Sequence, residues 1–167
     1  SCSNDTDTTL NSQQNGIINY LKGSHQPRLI PEADVATSID ENPHFYSQWG
    51  LNIFRYIATY YDEGREQKSI IEAGDKLELS YRAYIFANSK PIIENLIATN
   101  QQKAIDELIE KGLTMSEEWT TEPLTITLGN GEILEALETD IEGCREGDSI
   151  EVYLTFESGY GNKYFGM

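Results

Sequence analysis

The length and charge of this chain exclude two broad kinds of protein. Its 167 residues are enough for one domain with extensions, or at most two small domains, and no apolar run approaches the roughly 20 residues that a membrane-spanning helix needs. With 28 acidic residues against 12 basic ones, the net charge is −16, which repels phosphate and excludes nucleic acid from the expected partners.

The chain begins with a polar tract, SCSNDTDTT, and we expect residues 1–8 to form a tether. A cysteine followed by Ser, Asn, Asp and Thr resembles the start of a mature bacterial lipoprotein, in which the thiol carries lipid. This resemblance implies a lipid anchor at Cys2, membrane contact only through that anchor, and a place at the bacterial cell envelope, on the periplasmic or surface side. With Ser1 in front, we expect the chain as given to be a recombinant version of the acylated protein. The alternative is an incidental cysteine in a frayed terminus.

Residues 9–50 are predicted to form an N-terminal extension. Leu10, Ile17, Ile18 and Leu21 fall on one helical face, which predicts a short amphipathic helix over residues 9–21 that docks on the rest of the chain. Three prolines and little periodicity between residues 24 and 49 predict an extended segment that wraps a domain.

Four strands are predicted farther along the chain from alternating apolar and polar residues. They lie over residues 51–60 and 72–86, around Ile126, and over residues 149–156. Short connections favour an antiparallel sheet, and such a sheet needs another element to cover one of its faces.

Two helices are predicted among these strands. Apolar residues at helical spacing predict one helix over residues 131–142, with Ile133, Leu134, Leu137 and Ile141 facing the sheet and Glu132, Glu135, Glu138 and Asp140 turned largely away. A second pattern, with Ala104, Ile105, Leu108 and Ile109, ends at Gly112 and is interpreted as a helical insertion over about residues 100–120.

The usual groups of acid–base, nucleophilic or metal chemistry are not recognisable in the sequence. His25 and His44 are isolated in the poorly patterned segment and share no spacing with another ligand or a nucleophile. Cys144 is expected to be a small buried apolar residue. We therefore expect neither a metal site nor a cofactor.

A hollow between the first turn of the 131–142 helix and the sheet is the candidate binding site. Such a hollow would hold an uncharged ligand by burial and orient it with a few hydrogen bonds. The alternative is that the same aliphatic residues form an ordinary packed core. The expected lining consists of Tyr81, Leu124, Ile133, Leu134, Leu137, Phe156 and Tyr160.

The stretch LGNGEILEALETDIEGCREGDSIEVYLTFESGYG, residues 128–161, resembles the FKBP-type peptidyl-prolyl isomerases. In that family a strand and an LG turn are followed by xVIxGWExGLxGMxxGExxxxxIPxxxAYG. The resemblance covers residues 51–161 and implies an α+β fold, an FKBP-like antiparallel half-barrel sheet wrapped over one amphipathic helix. It makes residues 51–167 the FKBP-like domain.

The resemblance also implies roles for single residues. Ile133 and Leu134 would cap the pocket, with the Leu134 N–H donating to a bound carbonyl, and Leu137 would replace the tryptophan of the pocket floor. Tyr81 and Tyr160 would be the pocket tyrosines. These five residues are the candidate catalytic residues.

Other positions depart from the family pattern. Ile93 and Glu94 are an approximate match to its Phe-Asp pair, and Leu124 stands in place of an aromatic residue. Together with Phe156 they are the candidate substrate-binding residues. Beyond Gly161 the sequence offers only NKYFGM for the closing strand of the family.

Two functions are compatible with this resemblance. The first is a peptidyl-prolyl cis–trans isomerase that assists protein folding at the cell envelope and takes a proline-containing peptide or unfolded protein as its partner. The second is a catalytically weak FKBP-like module that binds peptides or other proteins, with the insertion and the N-terminal extension as partner surface.

Overall fold

The fold combines three helices and eight strands in the part of the chain that the structure describes. The computed structural model describes residues 2–24, 28–37 and 45–155, and the side chains of residues 9–23, 29–37 and 45–155. The helices are α1 (Cys2–Ser24), α2 (Gln102–Glu110) and α3 (Glu135–Ile141). The strands are β1 (Arg28–Pro31), β2 (Phe45–Trp49), β3 (Ile53–Ile57), β4 (Lys76–Leu79), β5 (Arg82–Tyr84), β6 (Leu96–Thr99), β7 (Leu124–Thr127) and β8 (Ile150–Leu154). The predicted α+β class is confirmed.

The strands form three hydrogen-bonded sheets where the sequence analysis expected one. The main sheet has the order β1-β2-β3-β8, and the other two are the ribbons β4–β7 and β5–β6. Strand β1 runs parallel to β2, whereas all other pairs are antiparallel. Strand β6 was not predicted.

The long strand predicted over residues 72–86 is interrupted at its centre. It is divided into β4 and β5, which pair with different partners. The physical reason lies at Tyr81, whose N–H donates to the side chain of Asn100 and whose carbonyl accepts from the hydroxyl of Thr99. Together with a main-chain bond from the Asn100 N–H to the Tyr81 carbonyl at 3.4 Å, these side-chain bonds satisfy the polar groups of Tyr81 where β4 ends and β5 begins.

The main sheet has a helix on each face. Strand residues alternate between the two faces. On one face, Tyr46, Phe54 and Tyr153 form a core cluster with Ile17 and Leu21 of α1. On the other face, Arg55 of β3 reaches the backbone of α3, and α3 contacts both β3 and β8.

The N-terminal extension is therefore part of the main sheet. The segment predicted to be extended contains β1, a 3₁₀ helix (Glu32–Thr37) and β2. Strand β2 pairs with β3 along Ser47–Trp49 and buries Phe45 and Tyr46, so this part of the predicted extended segment is a strand. The boundary predicted between residues 50 and 51 lies between these two paired strands.

Helix α1 is longer than predicted and begins at Cys2, so residues 2–8, expected to form the polar tether, lie within it. It continues through Gly16, which closely approaches the loop after β5. A Cβ atom at Gly16 would overlap the side-chain amide oxygen of Asn88. The aromatic rings of Tyr20 and Phe86 extend this contact, edge to face, with ring centroids 5.3 Å apart. None of the helices in the described ranges is both long and apolar enough to cross a membrane.

The two predicted helices are present, with one important difference. Helix α2 buries Ala104, Ile105 and Leu108 as expected, while Ile109 is exposed. Helix α3 is shorter than the predicted range of 131–142. The prediction that Asp140 faces away from the sheet is wrong, because Ala136 and Asp140 are the buried residues of α3. They are four residues apart and therefore share one helical face.

Candidate functional site

A concavity lies at the beginning of α3. Leu134 is the N-cap residue, with an extended backbone (ψ 137°), and Ile133 before it is buried. The concavity has a volume of about 660 Å³, within the usual size range of small-ligand sites. The residues that line it are Ala73, Leu128, Gly129, Gly131, Ile133, Leu134, Glu135, Glu138, Thr139 and Glu142.

The turn between β7 and α3 forms one wall of this concavity. Gly129 and Gly131 both have positive φ angles, 94° and 72°, which only glycine adopts without strain. The side chain of Glu138 accepts a hydrogen bond from the Gly129 N–H, and the carboxylate of Glu132 accepts one from the Thr127 N–H at 3.0 Å. Two acidic side chains thus hold the turn against the start of α3.

Among the described residues, the main-chain carbonyl of Leu134 is hydrogen-bonded, whereas its N–H is not. Its carbonyl accepts the first helical hydrogen bond, from Glu138 N–H at 3.0 Å. Within residues 45–155 and the other described ranges, no group accepts a hydrogen bond from its N–H. The buried side chain of Ile133 lines the same concavity, together with the acidic side chains of Glu135, Glu138 and Glu142.

Tyr81 lies at the break between β4 and β5 and is half-buried. Its backbone N–H donates to Asn100 Oδ1 at 2.9 Å, and its carbonyl accepts from Thr99 Oγ1 at 2.8 Å. Leu124, at the start of β7, pairs with Leu79, two residues before Tyr81. The structure therefore brings Tyr81 and Leu124 to the same end of the β4–β7 ribbon.

The concavity lies at the other end of that ribbon. Leu128 follows Leu124 by four residues, which in a strand corresponds to about 13 Å. Tyr81, Leu124 and Leu137 are not among the described residues that line the concavity. The candidate residues thus form two groups, Ile133 with Leu134 and Tyr81 with Leu124, separated by about the length of four extended residues.

The remaining candidates occupy several environments. Leu137 is half-buried. Ile93 packs against the cluster of Leu96, Ala104 and Leu108, and the carboxylate of Glu94 lies 4.0 Å from the Lys111 ammonium, with both side chains largely exposed. Phe156 and Tyr160 lie outside the described residues, as do His25 and His44, and the side chain of Cys2 is not described. The roles predicted for all nine candidate catalytic and substrate-binding residues stay predictions.

A buried polar cluster lies under α3. Arg55, only 5% exposed, donates from Nη1 to the Asp140 carbonyl at 2.7 Å and from Nη2 to Glu32 Oε2 at 3.2 Å. Its guanidinium also lies 4.9 Å from the ring centroid of Trp49, a favourable cation–π geometry. One arginine thereby connects the N-terminal extension, the main sheet and α3.

The carboxyl group of Asp140 is fully buried, and neither of its oxygens has a hydrogen-bond partner among the described residues. Burial raises its pKa to about 8, although the nearby Arg55 opposes this change. Burial also raises the pKa of the Cys144 thiol to about 11. Both groups are therefore mainly uncharged at neutral pH, and Cys144 is buried as predicted.

Sequence reasoning missed the polar residues that organise this region. Asn100, Thr99, Arg55 and Asp140 all contact main-chain or side-chain groups far away in sequence. The local feature that could have indicated a buried role for Arg55 is its position as a charged residue inside the apolar strand IFRYI. Within the described ranges, no group of three or more His, Cys, Asp and Glu side chains is placed to hold a metal ion.

Comparison with known protein families agrees with the motif at α3. The family model described as FKBP-type peptidyl-prolyl cis-trans isomerase matches residues 67–166, more than half of the chain. The chain belongs to the FKBP-type peptidyl-prolyl isomerase family. Comparisons with curated proteins and with solved structures each found no match.

The family match places both groups of candidate residues inside the FKBP-type domain. It begins after β3 and includes the elements from β4 to β8. FKBP domains bind proline-containing peptides or proteins. Helix α1 and strands β1 to β3 lie outside the matched range, although β3 pairs with β8 along five residue pairs.

Proposed function

We propose that this chain catalyses the cis–trans isomerisation of X-Pro peptide bonds. The observation that carries the proposal is the Leu134 N–H, which has no acceptor in the described ranges and lies next to the apolar Ile133. In the FKBP pattern, this N–H is the donor to the carbonyl of a bound peptide. Membership of the family supports the same reaction.

The reaction requires little conventional catalytic chemistry. An X-Pro bond rotates over a barrier of about 18–20 kcal/mol because twisting it sacrifices amide resonance. The planar amide is the more charge-separated form, so transfer out of water disfavours it relative to the twisted form. A donor that holds the carbonyl then fixes the peptide in the orientation that favours rotation.

The candidate residues have distinct parts in this proposal. The Leu134 N–H holds the carbonyl and Ile133 supplies apolar surface in the same concavity, while Leu137 and Leu124 are the proposed apolar contacts with the peptide outside it. The phenols of Tyr81 and Tyr160 are the proposed hydrogen-bonding groups at the other side of the peptide. The separation of about 13 Å between the two groups of residues corresponds to about four extended residues of substrate.

A catalytically weak peptide-binding module is the second candidate, and one observation favours it. Glu94, the approximate match to the family's aspartate, pairs with Lys111 at the surface beside α2, with a side chain 45% exposed. A polar group in that environment is not available to a buried prolyl peptide. Binding would then survive while turnover is reduced.

The test is the rate of cis–trans exchange in an X-Pro peptide, measured for the wild type and for Tyr81→Phe and Leu134→Lys. Acceleration by the wild type that both variants reduce supports the isomerase. Peptide binding without acceleration supports the module, and neither binding nor acceleration contradicts both functions.

We also propose that the chain acts at the bacterial cell envelope, anchored through lipid on Cys2 and assisting the folding of exported proteins. The support is the composition of the first nine residues, SCSNDTDTT. The natural form would be grown in bacteria with an alkyne-labelled fatty acid, with Cys2→Ser as the variant. Label that depends on Cys2 supports the anchor, and equal labelling of both forms contradicts it.

A further inference from the structure

Two buried polar side chains hold the backbone at Tyr81. Thr99 is 1% exposed and Asn100 is 9% exposed. Thr99 donates its hydroxyl to the Tyr81 carbonyl at 2.8 Å, and Asn100 accepts from the Tyr81 N–H at 2.9 Å. Both polar groups of one main-chain residue are therefore bound by adjacent residues at the end of β6.

The amide nitrogen of Asn100 extends the same network. It donates to the carbonyl of Leu79 at 2.8 Å and to the carbonyl of Glu122 at 3.2 Å. Leu79 ends β4, and Glu122 precedes β7 by two residues. One side chain thus ties together the end of β4, the break at Tyr81 and the entry to β7.

This network holds the backbone of Tyr81, from which its side chain projects. In an uninterrupted strand, Leu79 and Tyr81 would point to the same face, since side chains alternate. Irregular residues in strands change the direction of a side chain, and they are common beside active sites. Here the irregularity depends on hydrogen bonds from Thr99 and Asn100 and not on a glycine or proline.

We propose that Asn100, together with Thr99, is a positioning residue for Tyr81 in the prolyl-peptide site. This inference rests on the proposed function. The exposed Glu94 pairs with Lys111, whereas Asn100 and Thr99 bind the tyrosine backbone directly. Both act through Tyr81, and neither touches the reacting bond.

The test is a double-mutant cycle in the full chain with Asn100→Ala and Tyr81→Phe. The expected effect of Asn100→Ala is a loss of about tenfold or more in kcat/KM for an X-Pro peptide, because small displacements of a positioned group have effects of this size. In the Tyr81→Phe background, the same change has little further effect, because residues that act as a unit are not additive.

Matched variants separate positioning from general stability. Thr99→Val removes the hydroxyl at nearly constant volume and is expected to lower kcat/KM in the same direction, while Thr99→Ser restores most of the loss. Asp148→Asn destabilises a network that contacts neither Tyr81 nor Asn100, and its effect is expected to add to that of Tyr81→Phe. Each rate is corrected for the folded fraction at the assay temperature.

The outcomes distinguish failure of the inference from failure of the proposed function. If wild type turns over normally, either of two results overturns the inference alone. The effects of Asn100→Ala and Tyr81→Phe on kcat/KM are additive, or Thr99→Val leaves kcat/KM unchanged. If Asn100→Ala does not fold, the comparison of Thr99→Val with Thr99→Ser tests the inference. If wild type binds an X-Pro peptide without turnover, the cycle is measured on the dissociation constant. No binding and no turnover overturns both.

Discussion

Arg55 donates a hydrogen bond to the main-chain carbonyl of Asp140, at 2.7 Å, and not to its carboxyl group. Both residues are buried, on facing surfaces of β3 and α3. A glycine stands at the position of Asp140 in the FKBP pattern, whereas this chain has a buried carboxyl group there. The arginine that faces it is bound on its other side by Glu32.

The first prediction concerns the pH dependence of stability that follows from Asp140. The pKa of its carboxyl group is about 8 in the folded state, compared with an ordinary value of 3.8. Between these two pH values the unfolded chain has released the proton while the folded chain retains it, so the free energy of unfolding falls as pH rises from about 4 to about 8. One proton accounts for at most about 1.4 kcal/mol per pH unit. The charged groups that face Asp140 are Arg55 and Glu32, with the Cys144 thiol nearby.

Asp140→Asn removes this titration, so the variant is expected to gain stability relative to wild type as the pH is raised from 5 to 8. Urea unfolding at pH 5, 6, 7 and 8 measures the difference. Glu142→Gln, at an exposed position on the C-cap of the same helix, is the control and is expected to show no such trend. A difference that is constant across this range contradicts a protonated, buried Asp140.

The second prediction concerns Asp148, which titrates in the opposite direction. Its carboxylate accepts hydrogen bonds from Thr59, from two nitrogens of Arg65 and from the Arg145 N–H, at 2.8 to 2.9 Å. These bonds hold its pKa below the ordinary value despite burial. Its contribution to stability is present above the unfolded pKa of 3.8 and is lost as the pH falls through the lower folded value.

Asp148→Asn is expected to lower the free energy of unfolding at pH 7 by about 2 kcal/mol, the usual size for hydrogen bonds to a charged group, because the network is partly buried and asparagine keeps one carbonyl acceptor. The difference from wild type is expected to shrink below pH 4. Glu117→Gln, an exposed acid, serves as the control. A loss at pH 7 no larger than that of the control would show that the network adds nothing.

The third prediction tests the contact between α1 and the loop after β5. Gly16→Ala introduces a methyl group that overlaps the Asn88 amide and is expected to cost at most about 1 kcal/mol, the low end for overpacking, because the exposed Asn88 side chain can rotate away. Asn88→Gly should restore most of that stability, since Asn88 has a positive φ of 61°, which glycine adopts freely. Thermal melting of the single and double variants measures both effects.

Gly23 is the matched control on the same helix. A Cβ atom there has no neighbour within 4 Å, so Gly23→Ala is expected to be neutral or to stabilise by up to about 1 kcal/mol through helix propensity. Equal melting temperatures for Gly16→Ala and Gly23→Ala would mean that α1 does not pack closely on the Asn88 loop.

The spacing of apolar residues along the sequence predicted the elements that bury one face of their own residues. The alternation in IEVYL predicted β8, and the spacing of Ala104, Ile105 and Leu108 predicted α2, because each element buries one face of its own residues. The family motif predicted that Ile133 and Leu134 lie together at the start of α3, where both line one concavity.

Interactions between residues that are distant in sequence were not predicted, because a local pattern does not reveal the partner. The break at Tyr81 depends on Thr99 and Asn100, which are 18 and 19 residues away in sequence. The buried Asp140 accepts a hydrogen bond at its carbonyl from Arg55 of β3, which lies 85 residues away in sequence. Helical spacing alone places an aspartate on the polar face, since it contains no information about a buried partner.

The most direct measurement for the central claim is the cis–trans exchange rate of an X-Pro peptide in the presence of wild type, Leu134→Lys and Leu51→Lys. Leu51 is 48% exposed and serves as the matched control, and circular dichroism checks that all three proteins are folded. We expect wild type and Leu51→Lys to accelerate exchange and Leu134→Lys to lose the acceleration. Exchange no faster than in buffer with folded wild type, or full activity in folded Leu134→Lys, would contradict a prolyl site at the start of α3.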